Sequence, residues 1–276
     1  ICIPNKLSTA KINNMEQQFL SKEDILCMQY AGMGAYQIMH SKFEKEEYAE
    51  AFEAYIDKAE NIMDMQQEHG VVTLTFQDEN FPRSLRRIGN DCPPMIHCLG
   101  DLSLLNQTVK LIAIIGARAA SPAGNRKAYD LGRKFVEEGN IIVSGLALGC
   151  DKAAHEGCLD AGGKTIAIVA SGLNIVHPKE NEPLQQRILE SGGLILSEQP
   201  FGMKANPTRL VARNRLQAAL SDAVVLAECP EQSGSMYTMC FARKYRKQCF
   251  AVSYPKYSHI NAGNELLLNQ NLARPI

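Results

Sequence analysis

From residue 110 onward, short apolar runs alternate with longer polar stretches. The runs are Leu111–Ile115, Ile141–Val143, Thr165–Val169, Leu194–Leu196, Ala223–Ala227 and Cys249–Val252. They are too short for helices and bounded by turn-forming residues, which predicts buried strands. Between them lie segments long enough for crossover helices, such as Pro122–Glu138 and Cys150–Asp160. This alternation predicts an α/β chain with a doubly wound, mostly parallel sheet. Upstream, Val71–Phe76 alternates like a strand, Phe81–Leu85 starts a short helix with proline in its first turn, and Met95–Leu99 reads as another strand.

Residues 1–65 carry a helical pattern instead. Ser21-Lys-Glu-Asp24 forms a capping box, apolar Ile25, Leu26, Met28 and Tyr30 follow, and Ala31-Gly32-Met33-Gly34 turns the chain into a second helix. Two helices so joined can form a helix–hairpin–helix, whose turn amides approach a phosphate, or a plain helical hairpin. The plain hairpin is the favoured reading. Glu44–Glu60 places acids and aromatics at helical spacing, a solvated face over a packed one. The pattern divides the chain into residues 1–68, a small helical (helix–hairpin–helix or SAM-like) N-terminal domain, and residues 69–276, the α/β domain.

Composition narrows the classes. The chain has 276 residues, 45% apolar and 21% charged, a globular mixture. Thirty acidic against 29 basic residues give a net charge of −1, so a polyanion site must be a local basic patch. The apolar stretches, such as Leu111–Gly116 and Ile141–Val143, fall far short of the ~20 residues of a membrane helix. No basic, apolar leader opens the sequence, which argues against secretion, and with Ile1 in place of Met the natural start is expected upstream. Nine cysteines without a Cys-x-x-Cys spacing argue against a zinc site or a disulfide framework. Reduced thiols in a cytoplasmic protein, with no metal and no cofactor, are expected.

The loops that follow the predicted strands carry the chemistry. In a doubly wound sheet, ligands bind beyond the carboxyl ends of the strands. Here those loops read Gly116-Ala-Arg118-Ala-Ala-Ser121, Ser144-Gly145-Leu-Ala-Leu-Gly149, Ser171-Gly172, Ser197-Glu198 and Glu228-Cys-Pro-Glu-Gln-Ser233-Gly234-Ser235. Small residues let a ligand approach the backbone, and hydroxyls with free amides suit phosphate oxygens. Arg118 adds a planar fork for a phosphate. Arg213-Asn214-Arg215, ahead of a helical Leu216–Leu220, sets two more forks around an amide. Several such loops along one sheet edge point to an anion site.

Standard motifs do not account for them. Arg118 stands where Gly-x-Gly-x-x-Gly needs its second glycine, and Gly163 stands where a Walker loop needs lysine. Asp151 and His155 share a helical face, but no third ligand matches, so a supporting or capping hydrogen bond is the favoured reading. Ser144 lacks the Gly-x-Ser-x-Gly context of a nucleophile, and no residue stands out as a catalytic base. Phe201 is a candidate base-stacking platform or, equally, a loop anchor. The run Arg243-Lys-Tyr-Arg-Lys247 closes a helix and complements its dipole; no function is assigned to it.

The ordered text "SGLALGCDKAAHEGCLDAGGKTIAIVASGLNIVHPKENEPL", then "SEQP", "ARNR", "SGSMYT" and "NAGNELL", resembles the DNA-processing protein A (DprA/Smf) family over roughly residues 71–270. The resemblance implies an extended Rossmann-like domain, often behind a helical N-terminal domain and sometimes ahead of a winged helix. It implies single-stranded DNA as partner, a homodimer, no membrane, and a role in natural transformation, where members load the strand-exchange recombinase. Carried over by residue, Gly116 and Arg118, Ser144 and Gly145, Lys179, Arg213, Asn214 and Arg215, and Ser233, Gly234, Ser235 and Thr238 match family motifs; Ser171 and Gly172 join them from the loop reading. The chain departs from the family at Cys150 (isoleucine in Gly-Ile-Asp), at His177 (tyrosine before Pro178) and at Val211-Ala212. A Val-Pro-Gly turn near Val252–Pro255 is missing, and no winged helix follows Ile276.

The leading expectation is a non-enzymatic, single-stranded DNA-binding protein with the recombinase as a further partner. The alternative is a sensor that takes a nucleotide or nucleotide-derived signal in the same pocket. A nucleotide-cleaving hydrolase ranks last, because the Pro-Gly-Gly-x-Gly-Thr loop of such relatives is replaced by Pro230-Glu-Gln-Ser-Gly-Ser.

Overall fold

The structure, a computed structural model, describes residues 20–40 and 49–276. The helical readings that fall on 1–19 and 41–48 lie outside the described residues. In chain order come α1 (Lys22–Tyr30), α2 (Ala35–His40), α3 (Ala49–Glu68), β1 (Val72–Thr75), α4 (Arg83–Arg86) and β2 (Met95–Gly100). Then follow β3 (Leu111–Ile115), α5 (Pro122–Glu137), β4 (Ile141–Ser144), α6 (Cys150–Asp160), β5 (Thr165–Val169), α7 (Glu182–Glu190) and β6 (Leu194–Ser197). The chain closes with α8 (Pro207–Leu220), β7 (Ala223–Leu226), α9 (Gly234–Lys244), β8 (Gln248–Ala251), α10 (Ala262–Asn269) and β9 (Arg274–Pro275).

These strands form one sheet in the order β1-β2-β6-β5-β4-β3-β7-β8-β9. From β6 to β9 every pairing is parallel, whereas β2 runs antiparallel to both β1 and β6. Strands covered on both faces need apolar side chains at every position, and β3 and β5 are buried throughout. Successive residues still face opposite layers. Ala113, Ile115, Ile166 and Ile168 pack with Leu216 of α8 and Met239 of α9. Ile112, Ile114 and Ile142 pack with Ala128 of α5 and Ala154 of α6.

The N-terminal helices begin as the sequence dictates. Asp24 N–H donates to Ser21 Oγ at 3.0 Å while Ser21 N–H donates to Asp24 Oδ2 at 3.1 Å. Gly32 supplies the left-handed residue of the turn, with φ at 84°. Ile25, Leu26 and Met28 share a cluster with Ala167 and Val169 of β5 and with Ile188 of α7. Burying each such side chain stabilises the fold by roughly 1.5–3 kcal/mol. The packing therefore runs across the expected boundary at residues 68 and 69. Gln66 of α3 reinforces it: its Nε2 donates to Thr73 Oγ1 at 3.1 Å, and its Oε1 accepts from Phe201 N at 3.0 Å.

The α5–α6 layer holds by close backbone approach. A Cβ on Gly157 would lie 2.1 Å from the Tyr129 carbonyl oxygen, and one on Gly132 would lie 2.5 Å from that of Ala154. Gly157→Ala is expected to destabilise the protein by about 1–3 kcal/mol, because the clash is with backbone and the helices must separate. Urea denaturation measures it; an unchanged midpoint would show that the layer yields.

Candidate nucleic-acid interface

From β3 the chain winds outward through β4, β5 and β6, then returns to place β7 on the other side of β3. The loops after β3 and β7 therefore part in opposite directions, and the crevice between them is the switch point of a doubly wound sheet. A cleft of about 630 Å³ opens there. Its walls include Gly116, Arg118, Asp151, Arg213, Ser233 and Thr238. A narrower chamber of about 120 Å³ extends it past Gly145 and Leu148 to His177, with Arg118 and Arg213 lining both.

Three helix N-termini meet at this edge, and each brings unpaired amides and a positive dipole end. At α5 the place is filled from within the protein. Ser121 N–H and Oγ–H donate to the two oxygens of Glu228, at 2.7 and 2.8 Å. At α6, Cys150 N–H donates to Ala117 O at 3.2 Å and Lys152 N–H to Ala147 O at 3.1 Å. The start of α9 is open. Ser233 caps Ser235 N–H, Gly234 is exposed with no atom within 4 Å of where a Cβ would stand, and its own N–H takes no partner among the described residues.

Arg213-Asn214-Arg215 lies inside α8, not ahead of it. Asn206 accepts from Arg209 N–H at 2.8 Å and Pro207 takes the first turn, so the helix starts earlier than Leu216. Successive helical residues are rotated by about 100°, which divides the work of the three. Arg213 is only 5% exposed, and its NH1 donates to the carbonyls of Gly145 (2.6 Å) and Ile168. Asn214 Nδ2 donates to Gly234 O at 3.1 Å. Arg215 turns away to a fork–fork pair with Glu198, at 2.8 and 2.5 Å, and to Asp91 O. The expected phosphate forks are thus spent on protein: Arg213 braces the loop after β4, Asn214 braces the start of α9, and Arg215 lies outside the cleft.

Arg213 and Asp151 work together. Asp151 Oδ2 accepts Gly145 N–H at 3.1 Å while Arg213 takes the Gly145 carbonyl, so both sides of one residue are held. Gly145 permits this because a Cβ there would lie 2.4 Å from Arg213 NH1. Burial raises the Asp151 carboxyl above its ordinary value, with Arg213 pulling it back. Burial brings the Arg213 guanidinium down to about 10; Asp151 opposes the fall and Arg118 adds to it. Arg118 is thus close enough to Arg213 for its charge to be felt, and it stands exposed at the mouth.

The serine expectations divide. Ser144 is fully buried and donates to Ile114 O at 2.6 Å. Ser171 donates to Ile175 O at 2.7 Å, and Gly172 packs beneath Pro200 and Phe201, so neither reaches the cleft. Ser233, Gly234, Ser235 and Thr238 all line it, although Ser235 Oγ donates to Gly116 O at 2.7 Å. Lys179 is exposed and follows His177 and Pro178 of the inner chamber. Phe201, 6% exposed with its N–H held by Gln66, is a loop anchor. Residues behind the edge loops that pattern reading missed are Glu228, which holds Ser121, and Asn264. Asn264 clamps β7 and β8 through Leu226, Ala227 and Val252 carbonyls. Glu228 was legible only as an acid in a loop, and Asn264 only as part of the text "NAGNELL".

Asp151 and His155 have separate partners. Thr165 Oγ1 donates to Ile142 O at 2.8 Å, so His155 Nδ1–H donates to Thr165 Oγ1, also at 2.8 Å. Burial, with Arg213 nearby, lowers His155 to about 3, and burial lowers His97 to about 3. Both folded values lie below the unfolded value of 6.5, so the unfolded chain binds these protons first. Their contribution to stability is complete above pH 6.5 and is lost as pH falls toward about 3. Thermal melts are expected to drop steadily across this window, and to drop less in His155→Asn. A flat profile would show that these rings accept protons in place.

A family model described as DNA recombination-mediator protein A matches residues 72–276. The chain is 34% identical over 208 residues to Protein Smf of Synechocystis sp., covering 72% of this chain and 52% of that protein. It is 37% identical over 180 residues to DNA processing protein DprA of Streptococcus pneumoniae, covering 65% and 62%. It spans about half the length of the first of these relatives and somewhat more of the second. Among solved structures, DNA processing protein A from Streptococcus pneumoniae aligns with TM-score 0.78 at 27% identity, covering 93% of this chain and 94% of that one. A DNA processing protein A from Helicobacter pylori, described for its single-stranded DNA binding mode, aligns with TM-score 0.67 at 34% identity, covering 75% and 90%.

Proposed function

The chain belongs to the DNA recombination-mediator protein A family, and on that premise we propose that it binds single-stranded DNA along the carboxyl edge of its sheet. The observation that carries the reading is the open start of α9 beside exposed Arg118 in the switch-point cleft. Phosphates would meet the Gly234 amide and the Arg118 fork, with Lys179 farther along the same rim. Leu148 and Val211, 37% and 36% exposed, offer apolar surface at the mouth for sugars and bases. Arg213, Asp151 and Asn214 hold the loops in shape without being the phosphate contacts themselves. The cleft is assigned a binding role and no chemical step.

Service to a strand-exchange recombinase in transformation, a homodimeric state and a cytoplasmic location belong to this reading as its finer parts. None of the described helices is long and apolar enough to cross a membrane.

Titration of fluorescent oligo-dT against rising salt tests the proposal. Affinity should fall by ~0.7 log units per log unit of salt for each phosphate neutralised, and duplex of equal length should bind more weakly. A flat salt response, or equal affinity for duplex, would contradict it. A cleft of this size also suits a nucleotide; a nucleotide at 100 times its dissociation constant would add ~2.7 kcal/mol of stability, readable as a thermal shift.

A further inference from the structure

At the amino end of the sheet, opposite the cleft, lies a second group of cations: Arg87, Lys110, Arg243, Arg246, Lys247 and Arg274. Among the described residues none of the six forms an ion pair. Lys110, Asp222 and Lys247 immediately precede β3, β7 and β8, and the parallel register sets Lys247 level with Asp222 and Asp222 level with Leu111, one residue from Lys110. They floor a groove of about 880 Å³ between α4, the end of α5 and the turn after α9, which runs on into a second of about 370 Å³ beside Arg243 and Arg274. Asp222 is partly spent, since its Oδ2 accepts Leu111 N–H at 2.9 Å. Lys247 donates to Ala219 O at 2.8 Å, and burial, aided by Arg87, lowers its ammonium. Half-buried Phe135, Tyr245 and Phe250 also line the groove.

One backbone detail sets this turn apart. Helices α1, α5, α6 and α7 each end on a left-handed glycine, namely Gly32, Gly139, Gly162 and Gly192. Helix α10 uses Asn271, and α9 uses Arg246 at φ 57°. The turn is a full Schellman motif, with Lys247 N–H donating to Ala242 O at 2.8 Å and Arg246 N–H to Arg243 O at 3.0 Å. Glycine is the relaxed choice at this place, and a long cation there is held against its backbone preference. Dipole complementation does not require it, because Lys244 and Lys247 already stand on either side.

We propose that this groove is a second site for single-stranded nucleic acid, holding a further stretch of the strand whose first stretch lies in the carboxyl-edge cleft. The inference rests on the binding role given to that cleft. A cationic groove with aromatic walls suits a single strand. The five residues of β3 put the two edges roughly 17 Å apart, within reach of one flexible strand.

The test compares Arg87→Ala/Arg246→Gly/Arg274→Ala with the wild type, using oligo-dT of roughly 6 and roughly 30 nucleotides, below and above the span of one site. The long oligo should bind at least roughly tenfold more weakly, with a salt slope smaller by roughly 2, while the short one binds as before. Arg246→Gly alone should melt at the wild-type temperature or slightly above, so lost affinity cannot be lost folding. Unchanged long-strand affinity and slope in the triple variant would overturn the proposal and leave these cations to an acidic protein surface. Failure of the cleft reading looks different: short oligo-dT binding would then be indifferent to Arg118→Ala.

Discussion

Replacing Arg118 by alanine is expected to weaken oligo-dT binding by roughly tenfold to a hundredfold, the worth of one or two charge-assisted hydrogen bonds. The loss should be uniform across sequences, because a phosphate contact carries no base information. Folding should not suffer. Arg118 is exposed and forms no ion pair among the described residues, so its removal leaves no buried group unsatisfied. Melting temperature and binding are measured on the same preparation. A variant that melts normally and binds like the wild type would remove Arg118 from the interface.

Arg213→Ala should behave in the opposite way, as a folding defect. Its guanidinium sits among the Gly145 and Ile168 carbonyls beside Asp151, and truncation would strand a buried carboxyl and two carbonyl oxygens. Leaving a buried charge and buried carbonyls uncompensated in this way costs about 3–5 kcal/mol. Urea denaturation should show this loss. Replacing both partners with apolar groups of similar volume, Arg213→Met with Asp151→Leu, should restore part of it. If Arg213→Ala unfolds at the wild-type urea concentration but loses oligo-dT, the residue touches the strand and the bracing role assigned here is wrong.

These two arginines show which features the sequence makes legible. Arg118 follows a strand whose five residues are all buried, so the run Leu111–Ile115 could only be a covered strand and its successor could only be an edge loop. The same logic located β4, β5, β6, β7 and β8 within a residue or two. It did not place Arg213, because whether a basic side chain faces ligand or core depends on where its helix begins. Asn206-Pro207, a cap followed by a first-turn proline, carried that information. Ser144 and Ser171 belonged to the expected edge, yet each hydroxyl is consumed by a neighbouring carbonyl, Ile114 and Ile175 respectively. Residue type and loop position predict proximity to the edge; hydrogen-bond partners decide what remains free for a ligand. The antiparallel course of β2 was not legible, because it depends on β6, which lies nearly 100 residues downstream at Leu194–Ser197.

Amide hydrogen exchange with and without short oligo-dT tests the location of the strand most directly. On binding, amides of Ala117–Ala119, Leu146–Gly149 and Ser233–Ser235 should slow, whereas those of α1, α2 and α3 should exchange at their free rates. Slowing confined to the N-terminal helices, with the loops after β3, β4 and β7 unchanged, would contradict the account.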